Sequence, residues 1–363
     1  MKALVVEKAR VRANVEKIRS RAGDAVVYAV LKGGAYGLGL LEMAEVLVGE
    51  GITHFALTET DDAVKLRKAG FSEQEILILC STTDDRAIEA LCEYNLVGTI
   101  GSHDAAVAAN GVADRLHTVV ECHIEVDTGM GRYGFLPSEF DKIVSVYKYM
   151  PNVALTGMYT HFYRAYDSEK TTRRQLGAFL SVVERLRAGG IEPGMLHAAN
   201  SSALFRYDFC GLDAVRVGSA LTGRLAGGMT FGLERVGYIQ SAITETRWLR
   251  KGDTIGYGGC YTAKKPMRIA VVPVGYVDGF CAEKSRDSYK AGETLRYILS
   301  ELKKGIFRKK LYVRVGKAKA RVIGHVGMLH TVCDVTGIDC AAGDEVRLDL
   351  SPLFAGEMPR TYL

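Results

Sequence analysis

The chain has eight cysteines but no C-x-x-C pair and no Cys/His cluster with zinc spacing, so a zinc module or a dithiol redox motif is excluded. Several of the thiols sit inside apolar runs, as in Ile78-Leu79-Cys80, where cysteine acts as a small hydrophobe. Reduced thiols in the cytoplasm are the expectation. No apolar stretch reaches membrane-spanning length, and the segment Met1-Lys2-Ala3-Leu4-Val5-Val6-Glu7 lacks the apolar region of a signal peptide. No membrane partner is expected. Charge of one sign is also scarce: 47 Lys+Arg stand against 42 Asp+Glu, a net +5 that makes no case for nucleic acid. One basic stretch, Lys303-Lys304-Gly305-Ile306-Phe307-Arg308-Lys309-Lys310, reads as a solvated face. G-x-x-x-x-G-K-[S/T] is absent, which removes a nucleotide reading of the glycines after Lys32.

What is present is the composition of a soluble globular protein, 48% hydrophobic and 25% charged, long enough at 363 residues for two domains. Eight short apolar runs, at 26–31, 54–58, 75–80, 97–100, 119–126, 154–161, 195–198 and 214–217, are separated by amphipathic segments such as 61–70, 84–94 and 171–189. Alternating strands and helices imply parallel sheet, and eight such units in roughly 200 residues imply a closed (β/α)8 barrel. After about residue 225 helical patterns thin out. Runs at 268–274, 311–315, 321–326 and 345–350 alternate with Gly- and Asp-bearing turns. The expected architecture is an α/β barrel over residues 1–228 and a mainly β domain over 229–363. The β domain is interrupted by an insertion at 285–310 with a helix over 293–304.

Lys32 ends the first apolar run and is followed at once by Gly33-Gly34-Ala35-Tyr36-Gly37. Apolar neighbours disfavour a charged amine and make it a better nucleophile. The glycines let backbone approach a ligand closely. Barrels carry their chemistry on the loops that follow the strands. Asp127 to Arg132 follow the fifth run, His161 ends the sixth, His197, Asn200 and Ser201 cluster after the seventh, and Arg216, Gly218 and Ser219 end the eighth. Phosphate sites in barrels are commonly built after strands seven and eight. An aldehyde-reactive lysine and a phosphate cradle at one barrel mouth suit pyridoxal phosphate. Taken singly, His161 or His197 reads as a satisfied histidine, Ser201 as a helix N-cap and Arg132 as a surface ion-pair partner.

These segments resemble the alanine racemase family over nearly the whole chain. The resemblance rests on Ala29-Val30-Leu31-Lys32-Gly33-Gly34-Ala35-Tyr36-Gly37, Val126-Asp127-Thr128-Gly129-Met130-Gly131-Arg132, Thr160-His161-Phe162, His197-Ala198-Ala199-Asn200-Ser201, Val215-Arg216-Val217-Gly218, Ile255-Gly256-Tyr257-Gly258 and Pro273-Val274-Gly275-Tyr276-Val277-Asp278-Gly279. It implies pyridoxal 5′-phosphate as cofactor and racemisation of an amino acid by two bases. It also implies a homodimer in which Tyr257 serves the partner's site. Lys32 and Tyr257 would be the catalytic pair. Tyr36, His161, His197, Asn200, Ser201, Arg216, Gly218 and Ser219 would surround the cofactor. Arg132, Met328 and Tyr276 would meet the substrate.

The chain departs from the family pattern in four places. Glu125 stands where many members carry a carbamylated lysine, and is expected to supply the negative charge that orients Arg132. The Gly-Arg-x-Cys-Met-Asp segment appears as Gly324-His325-Val326-Gly327-Met328-Leu329. Gly356 precedes Glu357-Met358-Pro359-Arg360 where a pocket tyrosine is usual. The insertion at 285–310 replaces a short hairpin and reads as an interface device, a surface insertion or a contact for an acidic partner. Alanine is the expected substrate, with serine or another small or polar amino acid as the alternative. A non-catalytic protein that binds the same cofactor or amino acids is a second alternative.

Overall fold

The computed structural model describes residues 2–208, 212–283, 291–307 and 310–363. The chain divides into two compact units, one of Glu7–Val236 and one of Met1–Val6 with Gly237–Leu363. The division falls at Val236/Gly237 rather than at 228/229. The opening strand, β1 (Ala3–Val6), belongs to the β unit and not to the barrel.

The larger unit is a closed parallel barrel. Its strands are β2 (Val26–Val30), β3 (His54–Leu57), β4 (Glu75–Ser81), β5 (Val97–Ile100), β6 (Val120–Glu125), β7 (Val153–Tyr159), β8 (Met195–Asn200) and β9 (Ala214–Val217). β2 closes the ring by pairing with β9, Val27 opposite Val215. Helices such as Lys8–Ala22, Thr60–Lys68, Asp85–Glu93 and Glu169–Ala188 connect the strands. Strands covered on both faces read as short continuous apolar runs, and all four residues of β9 are buried. The 285–310 insertion lies partly outside the described residues. Its described part is a helix, Ala291–Phe307.

The other unit is a nine-stranded sheet among the described residues. After β1 come β10 (Tyr238–Ala242), β11 (Glu245–Leu249), the two-stranded pair β12 (Thr254–Ile255) and β13 (Tyr261–Thr262), β14 (Met267–Val272), β15 (Tyr312–Val315), β16 (Ala318–Ile323), β17 (Thr331–Asp334), β18 (Glu345–Leu348) and β19 (Arg360–Tyr362). Leaving out the β12–β13 pair, the order is β11-β14-β17-β16-β15-β18-β10-β1-β19. β1 pairs antiparallel with β10 and parallel with β19, Val5 lying between Tyr238 and Thr361. Among the described residues no helix is long and apolar enough to cross a membrane.

Candidate active site

Lys32 follows β2 at the carboxyl end of the barrel, the end that carries chemistry in this architecture. The four residues after it, Gly33, Gly34, Ala35 and Tyr36, all have φ between 55° and 61°. This is one turn of left-handed helix, held by Ala35 N–H donating to Leu31 C=O at 2.7 Å and Gly37 N–H to Gly33 C=O at 2.9 Å. Glycine enters that region without steric cost, whereas Ala35 and Tyr36 must be held in it by their surroundings. The turn places Lys32 and Tyr36 on the wall of one cavity of about 450 Å³. Burial, and secondarily the Arg132 charge, lowers the Lys32 ammonium from its usual range.

On the same cavity, Ser201 Oγ accepts from Gly218 N–H at 3.0 Å and Ala220 N–H at 3.2 Å. Ser201 is not the helix cap. Asn200 Oδ1 caps Ser201–Arg206 by accepting from Ala203 N–H at 3.1 Å, and its Nδ2 donates to Phe162 C=O at 3.0 Å. That leaves the Ser201 hydroxyl to the loop after β9. A Cβ at Gly218 would lie 2.1 Å from the Tyr36 hydroxyl, so only glycine lets the phenol sit against this loop. Tyr36, Ser201, Gly218 and Ser219 line the same cavity. Together they bring three hydroxyls and backbone amides to one small space, donors suited to an anion.

Behind the cavity runs a buried polar chain. Arg216 is 3% exposed and can only donate. One of its nitrogens lies 2.5 Å from His197 Nδ1, the other donates to Thr160 C=O at 2.7 Å and lies 3.5 Å from His161 Nδ1. His197 Nδ1 is therefore the acceptor, and its Nε2–H points to His123 Nδ1 at 2.8 Å. His197 also lies between two nearly parallel phenol rings, Tyr159 at 4.8 Å and Tyr28 at 5.5 Å. Burial and the neighbouring Arg216 charge keep the imidazoles neutral. His123 is pushed down to about 4, His161 to about 3 and His197 well below its usual value.

Glu125 ends β6 and is 2% exposed. Tyr159 O–H donates to its Oε2 at 3.3 Å. No ion pair joins it to Arg132, whose guanidinium stands 5.5 Å from the Tyr133 ring centre. Both still line the cavity, and the charges of Arg216 and Arg132 act on the carboxylate. Burial outweighs them and pushes the Glu125 carboxyl up to about 7.

Lys32, Tyr36, Glu125, Arg132, His161, Asn200, Ser201, Arg216, Gly218 and Ser219 thus share one cavity, with His197 directly behind. Tyr257, Tyr276 and Met328 belong to the β unit. Tyr257 lies in a tight turn and is 94% exposed. Tyr276 N–H donates to Gly327 C=O at 3.0 Å and Val277 N–H to Met328 C=O at 3.2 Å, which joins the 275–279 and 324–329 loops. Sequence reasoning missed His123, Tyr159, Tyr28 and Cys80. The available signal was strand alternation: His123 shares a face with Glu125, and Tyr159 with His161.

A closed (β/α)8 barrel with a desolvated amine and a small-anion cradle at its carboxyl end defines a barrel enzyme. Residues 6–225 match the family described as "Alanine racemase, N-terminal domain", and residues 236–352 match "Alanine racemase, C-terminal domain". The chain is 32% identical over 343 residues to an alanine racemase of Clostridium tetani, covering 92% of this chain and 82% of that one. An alanine racemase of Clostridium difficile 630 superposes with a TM-score of 0.85 at 25% identity, over 100% of this chain and 95% of that one. Another, from Bartonella henselae and described with covalently bound pyridoxal phosphate, shares the fold at TM-score 0.81 and 21% identity, over 100% of this chain and 99% of that one. The chain belongs to the alanine racemase family.

Proposed function

We propose that this protein is an alanine racemase that interconverts L- and D-alanine with pyridoxal 5′-phosphate, using two proton-transferring groups. The observation that carries the reading is that the lowered Lys32 amine and the Ser201–Gly218 cradle open on one cavity. The residues fit the cofactor. The cradle exists only because position 218 lacks the Cβ that would fill it, and a cavity of about 450 Å³ suits a ligand of this size. When bound, pyridoxal phosphate supplies an electron sink for the pair left when Cα–H breaks.

Lys32 would hold the cofactor covalently and, once displaced by substrate, carry a proton at Nζ. Tyr36, Ser201, Gly218 and Ser219 would take the phosphate. Arg216, held by His197 and Thr160, would face the ring nitrogen and leave it unprotonated, because a guanidinium has no proton to surrender near neutral pH. Arg132 would receive the substrate carboxylate; the family resemblance assigns the Met328 backbone and Tyr276 to the substrate as well. The second proton-transferring group is the Tyr257 hydroxyl, contributed by a second copy, so the working form is a homodimer. Neutral His161 would assist that phenol in its proton transfer. The reaction would supply D-alanine for cell-wall precursors in the cytoplasm, a setting consistent with free Cys80, Cys92, Cys122 and Cys333.

The test is incubation with pyridoxal phosphate and L-alanine, L-serine and other amino acids in parallel, followed by chiral chromatography. Fast D-alanine formation is expected. Lys32→Ala should lower the rate roughly 10³-fold or more and abolish the absorption of the covalently held cofactor. Faster turnover of serine would move the substrate assignment. Cofactor binding with no racemisation of any amino acid would overturn it.

A further inference from the structure

The helix Ala291–Phe307 wears its apolar side outward. Leu295, Ile298, Leu299 and Leu302 are 58%, 52%, 51% and 56% exposed. Their spacing puts them on one stripe of an α-helix. The opposite side of the helix, at Tyr297 and Ser300, is the half-buried one. Scattered exposed leucines are ordinary, but a contiguous stripe of four on a single helix marks a contact surface.

The flanks of the stripe say what covers it. At about 100° per residue, Arg296 and Lys303 fall on one flank, and Thr294 and Glu301 on the other. Two copies of this helix packed stripe to stripe and running parallel, about a two-fold axis along the helices, bring the basic flank of each against the acidic flank of the other. Glu301 of one copy then lies between the levels of Arg296 and Lys303 of its mate. An antiparallel pair would set the two basic flanks side by side. A membrane-lying helix would carry cations on both flanks, and here a carboxylate occupies one of them.

We infer that the helix Ala291–Phe307 is a self-association element, pairing in parallel with the same helix of a second copy of this chain. The contact is distinct in place from Tyr257 and does not depend on which amino acid the enzyme turns over. Four apolar side chains per copy bury less than the roughly 1,000 Å² a free-standing interface needs, so the pairing is concentration-dependent.

Sedimentation velocity of the cofactor-loaded full chain over a concentration series tests this. The double variant Ile298→Asp/Leu299→Asp should sediment as the Tyr257-sharing dimer at the upper concentrations, where the wild type shows twice that mass, with unchanged circular dichroism. Glu301→Lys makes both flanks basic and should weaken association roughly tenfold. Combining it with Arg296→Glu and Lys303→Glu should restore association, a rescue that only facing flanks of two copies explain. Equal masses for wild type and the Asp double variant would overturn the inference. So would pelleting of the wild type with phosphatidylserine vesicles when its mass is insensitive to these substitutions.

Discussion

At Glu125 two influences oppose each other: burial pushes the carboxyl up and the Arg216 and Arg132 charges pull it down, with about 7 as the outcome. If its anion steadies Arg132, activity rises with pH through about 7. Glu125→Gln then loses that limb and runs roughly tenfold slower at pH 8, as for a lost interaction of about 1.4 kcal/mol. A full-speed variant would remove Glu125 from the mechanism. Stability should move the other way. The folded chain holds this proton up to about 7, whereas the unfolded chain releases it near its ordinary value of 4.5, so native stability declines as pH rises between those values. Glu125→Gln removes the decline. Thermal unfolding should therefore show the variant more stable than wild type at pH 8 and no more stable at pH 4.

At the scale of elements, the left-handed turn after Lys32 joins Lys32 to Tyr36, the residues proposed to hold the cofactor and its phosphate. Gly33 and Gly34 have open space where a Cβ would go, so alanine at either would be penalised by backbone conformation alone. Gly33→Ala and Gly34→Ala should each cost about 1 kcal/mol in thermal denaturation. The barrel strands were legible in the sequence because burial on both faces leaves short apolar runs. β10 and β11 were not, since Gln240, Glu245 and Arg247 interrupt them as strands with a polar face do. The glycines after Lys32 announced a turn, but its handedness over Ala35 and Tyr36 could not be read from residues that normally avoid it. The Arg216–His197–His123 chain was half legible. Arg216 and His197 stand near the ends of the apolar runs 214–217 and 195–198, whereas His123 lies inside the longer run 119–126 and reaches His197 from β6, two strands away. The Asn200 cap was hidden because Ser201, beside it, is as good a cap by type.

At the scale of the whole molecule, the proposed sharing of Tyr257 between subunits predicts complementation. A Lys32→Ala chain and a Tyr257→Ala chain should each be inactive. Unfolded together and refolded, they would form hybrids in which one site draws Lys32 from one chain and Tyr257 from the other. With random pairing about a quarter of wild-type activity should return. A mixture that stays inactive, while wild type treated alike recovers, would show that Tyr257 does not act across subunits.

The topology of the sheet bears on how the chain is made. β1 is synthesised before every strand of the barrel, and its two neighbours, β10 and β19, after all of them. The barrel can close while β1 still presents two unpaired edges, a state that invites pairing with other chains. Its hazard is therefore greatest during synthesis. The shortness of β1, four residues, limits what a stray strand could grip during that wait.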